Sequence, residues 1–322
     1  MVSPPTDGPL SRIIDVDGAV HFVDFGGPAE GPLLVGVHGL GGSHLNWSAI
    51  GPQLSRNSRV LALDLVGHGL TPTGTRTPDI EGHRRLLSGF LRSMGAGPAI
   101  LIGNSMGGLV AALQAATEPE SVAGLILIDP ALPTTRPGLI HPRVIANFAL
   151  CAVPWVGEGY LTQRRRRTTA EQSVRRVLSV CCVDPSRVPL DVVDAHIELT
   201  SRMDRVQADD AYLRSARSLA MMMALPGATV ERLRALDQPT LLVHGDRDLL
   251  VPLSAARRMS ADHPGWRVEI APDTGHVPML EAPGWTTVMI DDWLTYEGAA
   301  AAARSSTAPG VMVDPSSTRA ST

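Results

Sequence analysis

The sequence contains no lysine, and all 28 of its basic residues are arginines. A phosphate-binding loop of the kind that ends in Gly-Lys is therefore absent. The formal net charge of the 322-residue chain is −4, whereas nucleic-acid binding needs a basic face. We expect no nucleic-acid partner.

Cysteine is scarce, with only Cys151, Cys181 and Cys182. An odd, clustered set is a poor disulfide framework and favours a reducing compartment, so we predict a cytoplasmic location. The N-terminal stretch MVSPPTDGPLSR lacks the basic start and the apolar stretch of a secretory signal. No apolar run reaches the roughly 18 residues of a membrane span. Zinc-type Cys/His spacing is also missing, so we expect no metal and no cofactor.

The chain is rich, by contrast, in short apolar runs that are typical of buried strands. Residues 11–26 predict a hairpin that turns at Asp17-Gly18. The later runs are residues 33–39, 59–65, 99–105, 124–130, 239–246 and 266–272. Helical stretches between them include residues 83–94, 106–117 and 253–262. This alternation predicts an α/β core, residues 1–130 and 236–297, with a mostly parallel, doubly wound sheet.

Residues 131–235 interrupt this alternation, because they are helical in composition and contain no buried strand pattern. We interpret them as a helical cap domain inserted over one end of the sheet. The cap contains the apolar segment 144–153 and then four arginines, Arg164–Arg167. A solvated basic turn is the favoured interpretation of this run. Peripheral contact with a membrane, or binding of an anionic substrate group, is the alternative.

The tail, residues 298–322, is rich in Ala, Ser and Thr and shows no amphipathic period. It is predicted to be disordered beyond about Ala303.

The pentapeptide from Gly103 to Gly107 fits G-x-S-x-G between a predicted strand and a predicted helix. A nucleophile on so sharp a turn has strained backbone angles, and glycines two positions away on either side prevent collisions. Ser105 would then lie at a helix N-terminus, where amides and the helix dipole favour developing negative charge. A simple N-cap serine is the alternative interpretation.

With this motif the chain resembles the α/β-hydrolase superfamily, in its serine hydrolase and esterase branch with a helical cap, over about residues 11–297. The segment VHGLGGSHLNW, residues 37–47, is similar to the H-G-x-G loop of that superfamily. The resemblance implies that the N–H groups of Leu40 and Met106 form the oxyanion hole. Gly39 and Gly41 would let the loop fold close to the cleft. A glycine-rich turn without a ligand is the alternative.

The same resemblance implies the acid and the base of a catalytic triad. HGDRDLLVP, residues 244–252, places the acid at Asp248, with Asp246 as a local alternative. Asp129 is a second alternative, because some relatives have the acid after the earlier strand. DTGHVPMLEAP, residues 273–283, matches G-H-x-P-x-x-E-x-P and supplies His276 as the base. His68 of DLVGHGLT precedes the nucleophile and is interpreted as structural.

A serine at the elbow argues against the haloalkane dehalogenase and epoxide hydrolase branches, whose nucleophile is aspartate. We therefore expect cleavage of a carboxylic ester, or a related acyl bond, of a small and largely apolar molecule. GNSMGG is also similar to the elbow of carbon–carbon bond hydrolases of aromatic catabolism. Those enzymes usually have Trp after the catalytic His, where this chain has Val277.

A non-catalytic ligand-binding protein on the same scaffold is a third interpretation. Met221–Met223 either line an adaptable apolar pocket or pack in a helix core, and the helix core is favoured.

Overall fold

The computed structural model describes residues 8–95, 97–133, 142, 146, 149–151 and 153–307, with side chains as far as residue 297. Eight strands form one sheet at the centre of the molecule. In chain order they are β1 Leu10–Asp15, β2 Ala19–Gly26, β3 Leu33–Val37, β4 Arg59–Leu63, β5 Ala99–Asn104, β6 Val122–Ile128, β7 Thr240–Gly245 and β8 Arg267–Ala271.

The spatial order of the strands is β1-β2-β4-β3-β5-β6-β7-β8. The first two strands form the predicted antiparallel hairpin, and Asp17 and Gly18 have positive φ at its turn. β2 is antiparallel to β4, and all remaining neighbours are parallel. The predicted α/β class with a mostly parallel sheet is therefore confirmed. The chain reverses its direction of strand addition between β3 and β5, and the carboxyl ends at such a point border a ligand crevice.

Eleven α-helices accompany these strands in the described residues. They are α1 Gly51–Leu54, α2 Ile80–Met94, α3 Met106–Thr117, α4 Val156–Arg167, α5 Ala170–Cys181, α6 Leu190–Arg202, α7 Arg205–Ala224, α8 Gly227–Arg234, α9 Leu253–Asp262, α10 Pro278–Glu281 and α11 Pro283–Thr307. The helices predicted at 106–117 and 253–262 have the predicted bounds. α2 begins at Ile80 rather than at residue 83, because the Asp79 side chain caps it by accepting from the N–H of Gly82.

The core lies on both faces of the sheet, because successive side chains of a strand point to opposite sides. β6 shows this directly: Leu125 and Leu127 belong to one buried apolar cluster, and Ile126 and Ile128 belong to the other. Residues of α2, α3, α8 and α9 pack in the first cluster, and residues of α1 and α11 pack in the second. Helices therefore cover the sheet on both faces, as a parallel sheet requires.

The described part of residues 131–235 contains no strand and consists mainly of the helices α4 to α8. α8 lies in the predicted cap segment but packs against α3. Its Leu233 is fully buried in the first cluster. The helical layer of the sheet therefore resumes before residue 235. Met222 and Met223 also pack against this cluster, whereas Met221 is exposed, which favours the helix-core interpretation of the methionine run.

The arginine run forms the end of α4. Arg165 pairs with Asp209 of α7 at 2.5 Å, and the guanidinium of Arg164 lies 5.9 Å from the Tyr160 ring centroid. Two of the four arginines are thus engaged within the cap, while Arg166 and Arg167 are exposed. Half of the apolar segment 144–153 lies outside the described residues.

The last helix extends beyond the predicted domain boundary at residue 297. α11 continues to Thr307, through a run of five alanines at 299–303. Alanine has the highest helix propensity, which explains the continuation. Residues 308–322 of the predicted tail lie outside the described residues. No helix in the described part of the chain combines the length and apolar character needed to cross a membrane.

Candidate active site

The elbow between β5 and α3 holds Ser105 in a strained conformation, with φ 55° and ψ −119°. The flanking glycines have a steric cause. A Cβ added at Gly103 would lie 2.6 Å from the carbonyl oxygen of Gly107, and one added at Gly107 would lie 2.1 Å from that of Val37. The Ser105 side chain makes no capping hydrogen bond to α3, so the N-cap interpretation has no support.

His38 fixes the loop that follows β3. Its Nε2 accepts a hydrogen bond from the N–H of Leu65 at 3.1 Å, so the proton is on Nδ1, which donates to the carbonyl oxygen of Gly39 at 2.7 Å. Burial lowers the pKa of His38 to about 3, so the ring is neutral. In a planar trans peptide the next N–H points opposite to this carbonyl. The N–H of Leu40 is therefore directed away from His38.

This loop approaches the nucleophile closely. A Cβ added at Gly39 would lie 3.1 Å from the Cβ of Ser105. Gly41 has φ +71°, and a Cβ there would lie 3.2 Å from the ring of Tyr212 on α7. Met106 is the first residue of α3, where an N–H has no intrahelical acceptor. Among the described residues the N–H of Leu40 also finds no backbone acceptor.

The predicted acid and base form a buried pair. Nδ1 of His276, in the loop after β8, lies 2.7 Å from Oδ2 of Asp248. Oδ1 of Asp248 accepts from the N–H groups of Leu250 at 2.7 Å and Val251 at 3.1 Å. Burial opposes ionisation of Asp248, but His276 and the amide hydrogen bonds together lower its pKa. Asp246 is exposed, and its carboxylate accepts from the N–H of Thr274 at 3.3 Å, as a turn residue does.

Asn104 connects the elbow to the loop of the base. Its Nδ2 donates to the carbonyl oxygens of Ile128 and His276, each at 3.1 Å. The residue before Ser105 is therefore tied to the backbone of His276 across the carboxyl end of β6. The sequence motif alone predicts no role for Asn104. Asn104 ends an apolar run in the sequence, and a buried amide at the end of a strand requires hydrogen-bond partners. This requirement is the sequence feature that could have indicated its role.

The side chain of Asp129, the alternative acid, also lies close to Asp248 and His276. It follows β6 with φ 45° and is fully buried. One of its oxygens, one of Asp248 and a ring nitrogen of His276 lie within 4.8 Å of one another. The hydrogen bond from Nδ1 of His276 nevertheless goes to Asp248.

Residues of the predicted cap support the loop that contains His276. The N–H of His276 donates to the carbonyl oxygen of Cys181, at the end of α5, at 2.6 Å. The buried carboxylate of Glu281 accepts from the N–H of Gly275 and from the N–H of Asp184 in the cap, each at 2.8 Å. Glu281 is the glutamate of the G-H-x-P-x-x-E-x-P match, which by itself predicts no role for it.

The loop after β4 is built around a buried carboxylate. Asp64 accepts from Nδ1 of His21 at 2.7 Å and from Nδ1 of His44 at 2.9 Å. Burial opposes its ionisation, but these bonds lower the pKa of Asp64 overall. Gly69 has φ +53°, and a Cβ there would lie 2.2 Å from this carboxylate. His68 donates to the carbonyl of Val66 at 2.9 Å and is structural.

Two groups of side chains in the described residues have metal-ligand atoms within 4.8 Å of one another. One is His21, His44 and Asp64, and the other is Asp129, Asp248 and His276. Both groups contain short histidine–carboxylate hydrogen bonds, which account for the proximity of these side chains. The absence of a metal or cofactor stays a prediction.

A family model described as the alpha/beta hydrolase family matches residues 34–287. The chain belongs to this family. The match begins within β3 and extends beyond β8, and it includes the elbow and the loops that hold Asp248 and His276.

Curated relatives of this alpha/beta hydrolase differ in activity. A dihydrolipoyllysine-residue acetyltransferase component of an acetoin cleaving system from Pseudomonas putida is 29% identical over 85% of this chain, which spans 66% of that protein. A pimeloyl-[acyl-carrier protein] methyl ester esterase from Aromatoleum aromaticum is 30% identical over 81% of this chain and 97% of its own. A 2-hydroxy-6-oxononadienedioate/2-hydroxy-6-oxononatrienedioate hydrolase from Klebsiella pneumoniae is 27% identical over 85% of this chain and 91% of its own.

Solved structures share the fold of this alpha/beta hydrolase. The haloalkane dehalogenase DatA from Agrobacterium tumefaciens superposes with a TM-score of 0.76 over 90% of this chain and 97% of its own, at 20% identity. At this identity the likeness concerns the fold alone.

Proposed function

We propose that this alpha/beta hydrolase is a serine hydrolase that cleaves a carboxylic ester, or a related acyl bond, of a small and largely apolar molecule. One observation carries the proposal. A serine on a strained elbow shares one rim of the sheet with a buried His276–Asp248 pair, and Asn104 bonds the elbow to the loop of the base.

The acylation step follows from the chemistry of these groups. The hydroxyl of Ser105 is a weak nucleophile at neutral pH, and Nε2 of His276 accepts its proton as the oxygen attacks the acyl carbon. Asp248 keeps the proton of the imidazole on Nδ1 and stabilises the imidazolium. The N–H groups of Leu40 and Met106 bind the oxyanion, and loss of one such donor typically slows the reaction by about 10²–10³-fold.

His276 then returns the proton to the leaving group, which departs as an alcohol, and the acyl group remains on Ser105. In the second half of the reaction His276 accepts a proton from water. The resulting hydroxide attacks the acyl-enzyme, and Ser105 regains its proton as the carboxylic acid leaves.

Two features support an apolar acyl ester. The alignment with the methyl ester esterase relative extends over 97% of that enzyme, and its name specifies an ester bond. The ring of Tyr212 borders the oxyanion loop, because a Cβ added at Gly41 would lie 3.2 Å from it.

A carbon–carbon bond hydrolase is the second candidate, and the 2-hydroxy-6-oxononadienedioate hydrolase relative favours it. Val277, in place of the tryptophan usual in such enzymes, speaks against it. Ser105 and His276 could act in the cleavage of either bond, so the two candidate functions must be distinguished by comparing substrates.

A fluorophosphonate probe tests the nucleophile. We expect one probe per chain on Ser105, and we expect Ser105→Ala to abolish both labelling and p-nitrophenyl ester turnover while the Tm stays nearly unchanged. A folded wild-type sample that does not label would indicate a binding protein instead.

A substrate panel tests the bond. p-Nitrophenyl esters of increasing acyl length are compared with a 2-hydroxy-6-oxo-dienoate. Preferred turnover of the dienoate would replace the ester proposal by the second candidate.

A further inference from the structure

The acid end of the site holds two buried carboxyl groups rather than one. Asp248 accepts three hydrogen bonds, one from His276 on Oδ2 and two from backbone amides on Oδ1. Asp129 accepts one hydrogen bond, from the N–H of Gly245 to Oδ1 at 2.9 Å. Its Oδ2 is buried and has no partner among the described residues.

An ionised Asp129 would need a cation, and its neighbours in the described part of the chain supply none. The titratable groups around it are His244 of β7, Asp248 and His276 in the loops, Glu281 of α10 and Cys181 of the cap. Within the described residues the ion-pair contact of Asp129 is Nε2 of His244, at 3.6 Å. That nitrogen donates to the carbonyl oxygen of Val251 at 3.0 Å, and burial lowers the pKa of His244, so its ring is neutral.

We propose that Asp129 keeps its proton in the folded protein and donates it in a hydrogen bond to the carboxylate of Asp248, as a positioning residue for the acid–base pair. The proton gives the unpaired Oδ2 a hydrogen bond and removes the repulsion between two adjacent buried carboxylates. In agreement, burial and then the neighbouring Asp248 raise the pKa of Asp129 well above its ordinary value.

The neutral carboxyl group of Asp129 also affects Asp248, the hydrogen-bond partner of His276. A hydrogen bond from Asp129 disperses the charge of the Asp248 carboxylate and fixes its orientation toward His276. This positioning role rests on the proposed serine hydrolase function, whereas the protonation of Asp129 does not.

The pH dependence of folding stability tests whether Asp129 is protonated, and this test needs no substrate. The ordinary pKa of Asp129 is 3.8, so an unfolded chain releases this proton above about pH 4 while the folded protein keeps it. Wild-type stability therefore falls as pH rises, and Asp129→Asn removes that loss. The ratio of the folding constants, variant over wild type, should rise about tenfold per pH unit between pH 5 and the folded-state pKa. A flat ratio in urea denaturation would show an ionised Asp129.

NMR of the wild-type protein with ¹³C-labelled aspartate carboxyl groups gives the same answer if the variant does not fold. We expect one aspartate with the chemical shift of a protonated carboxyl group at pH 7. Asp129→Asn, where folded, removes that resonance. A spectrum with only ionised carboxylates would overturn the proposal.

The positioning role is tested by the pH dependence of kcat/KM. Asn keeps an N–H donor for Asp248, so Asp129→Asn should leave the acid limb in place. Leu has no donor, so Asp129→Leu should leave Asp248 more basic and move the acid limb to higher pH. An acid limb that does not move with Leu would exclude the positioning role without affecting the stability test.

Discussion

The nucleophile and the base of the proposed triad are held in place by different means. Ser105 is positioned by its own chain: a strained turn, glycines without room for a Cβ, and two continuous elements, β5 and α3. His276 lies in a loop whose position depends on distant groups, namely Asp248, Glu281, Asn104 and the carbonyl oxygen of Cys181 in the cap.

This difference indicates which changes would disrupt the elbow of Ser105 and which would disrupt the loop of His276. The elbow depends on excluded volume, so it fails when an atom is added and is indifferent to pH. The base loop depends on hydrogen bonds across long sequence separations, so it fails when a partner loses its charge or its acceptor. The following predictions test this contrast, beginning with the largest effect.

Gly107→Ala should disrupt the elbow. Its new Cβ would lie 2.1 Å from the carbonyl oxygen of Val37 and 2.4 Å from that of His38, and both are backbone atoms that cannot move alone. We expect a loss of more than about 3 kcal/mol in the free energy of unfolding, and loss of ester turnover. Urea denaturation and the p-nitrophenyl ester assay measure the two effects.

The matched control is Gly159→Ala in α4, where nothing lies within 4 Å of the added Cβ. It should stabilise the protein by up to about 1 kcal/mol, because alanine is the better helix former. Equal stability of the two variants would refute the steric account of the elbow.

Asp248→Asn should reduce kcat/KM by about 10³–10⁴-fold, because the amide cannot hold the proton on Nδ1 of His276. Asp129→Asn should cost far less, since Asn keeps an acceptor for Gly245 and a donor. Steady-state ester kinetics compare the two variants directly. If Asp129→Asn reduced kcat/KM more than Asp248→Asn, the acid of the triad would be Asp129.

Glu281→Gln should produce the smallest effect. One of its two amide donors, the N–H of Gly275 or that of Asp184, would face an NH₂ group, at a cost of about 1–3 kcal/mol. We expect kcat to fall about tenfold with little change in KM, because the loop of the base shifts while the substrate cleft stays. Glu120→Gln, in an exposed turn, is the control and should change neither constant. A lower Tm with an unchanged kcat would limit Glu281 to a structural role.

The sheet and the elbow could be predicted from the sequence because their determinants are local. The apolar runs marked every strand from β3 to β8, and the glycines around Ser105 marked the turn that needs them. The order Ser105, Asp248, His276 followed from the resemblance, and the structure brings the last two within a hydrogen bond. Their catalytic roles stay predictions.

The contacts that hold the base loop could not be predicted, because they join residues that are far apart in the chain. Asn104 bonds to a carbonyl 172 positions away, and Glu281 to an amide 97 positions away. Helix α8 shows the same limit in the fold. Its composition resembles that of the cap helices, and only its packing on α3 assigns it to the sheet layer. The alanine run of α11 was taken for a tail because it has no amphipathic period.

The bond from the N–H of His276 to the carbonyl oxygen of Cys181 has a consequence for protein engineering. Replacing the predicted cap with the lid of another hydrolase, to change the range of accepted molecules, would remove this acceptor. A chimera should therefore retain the stretch from Cys181 to Arg187 and exchange only the parts on either side of it.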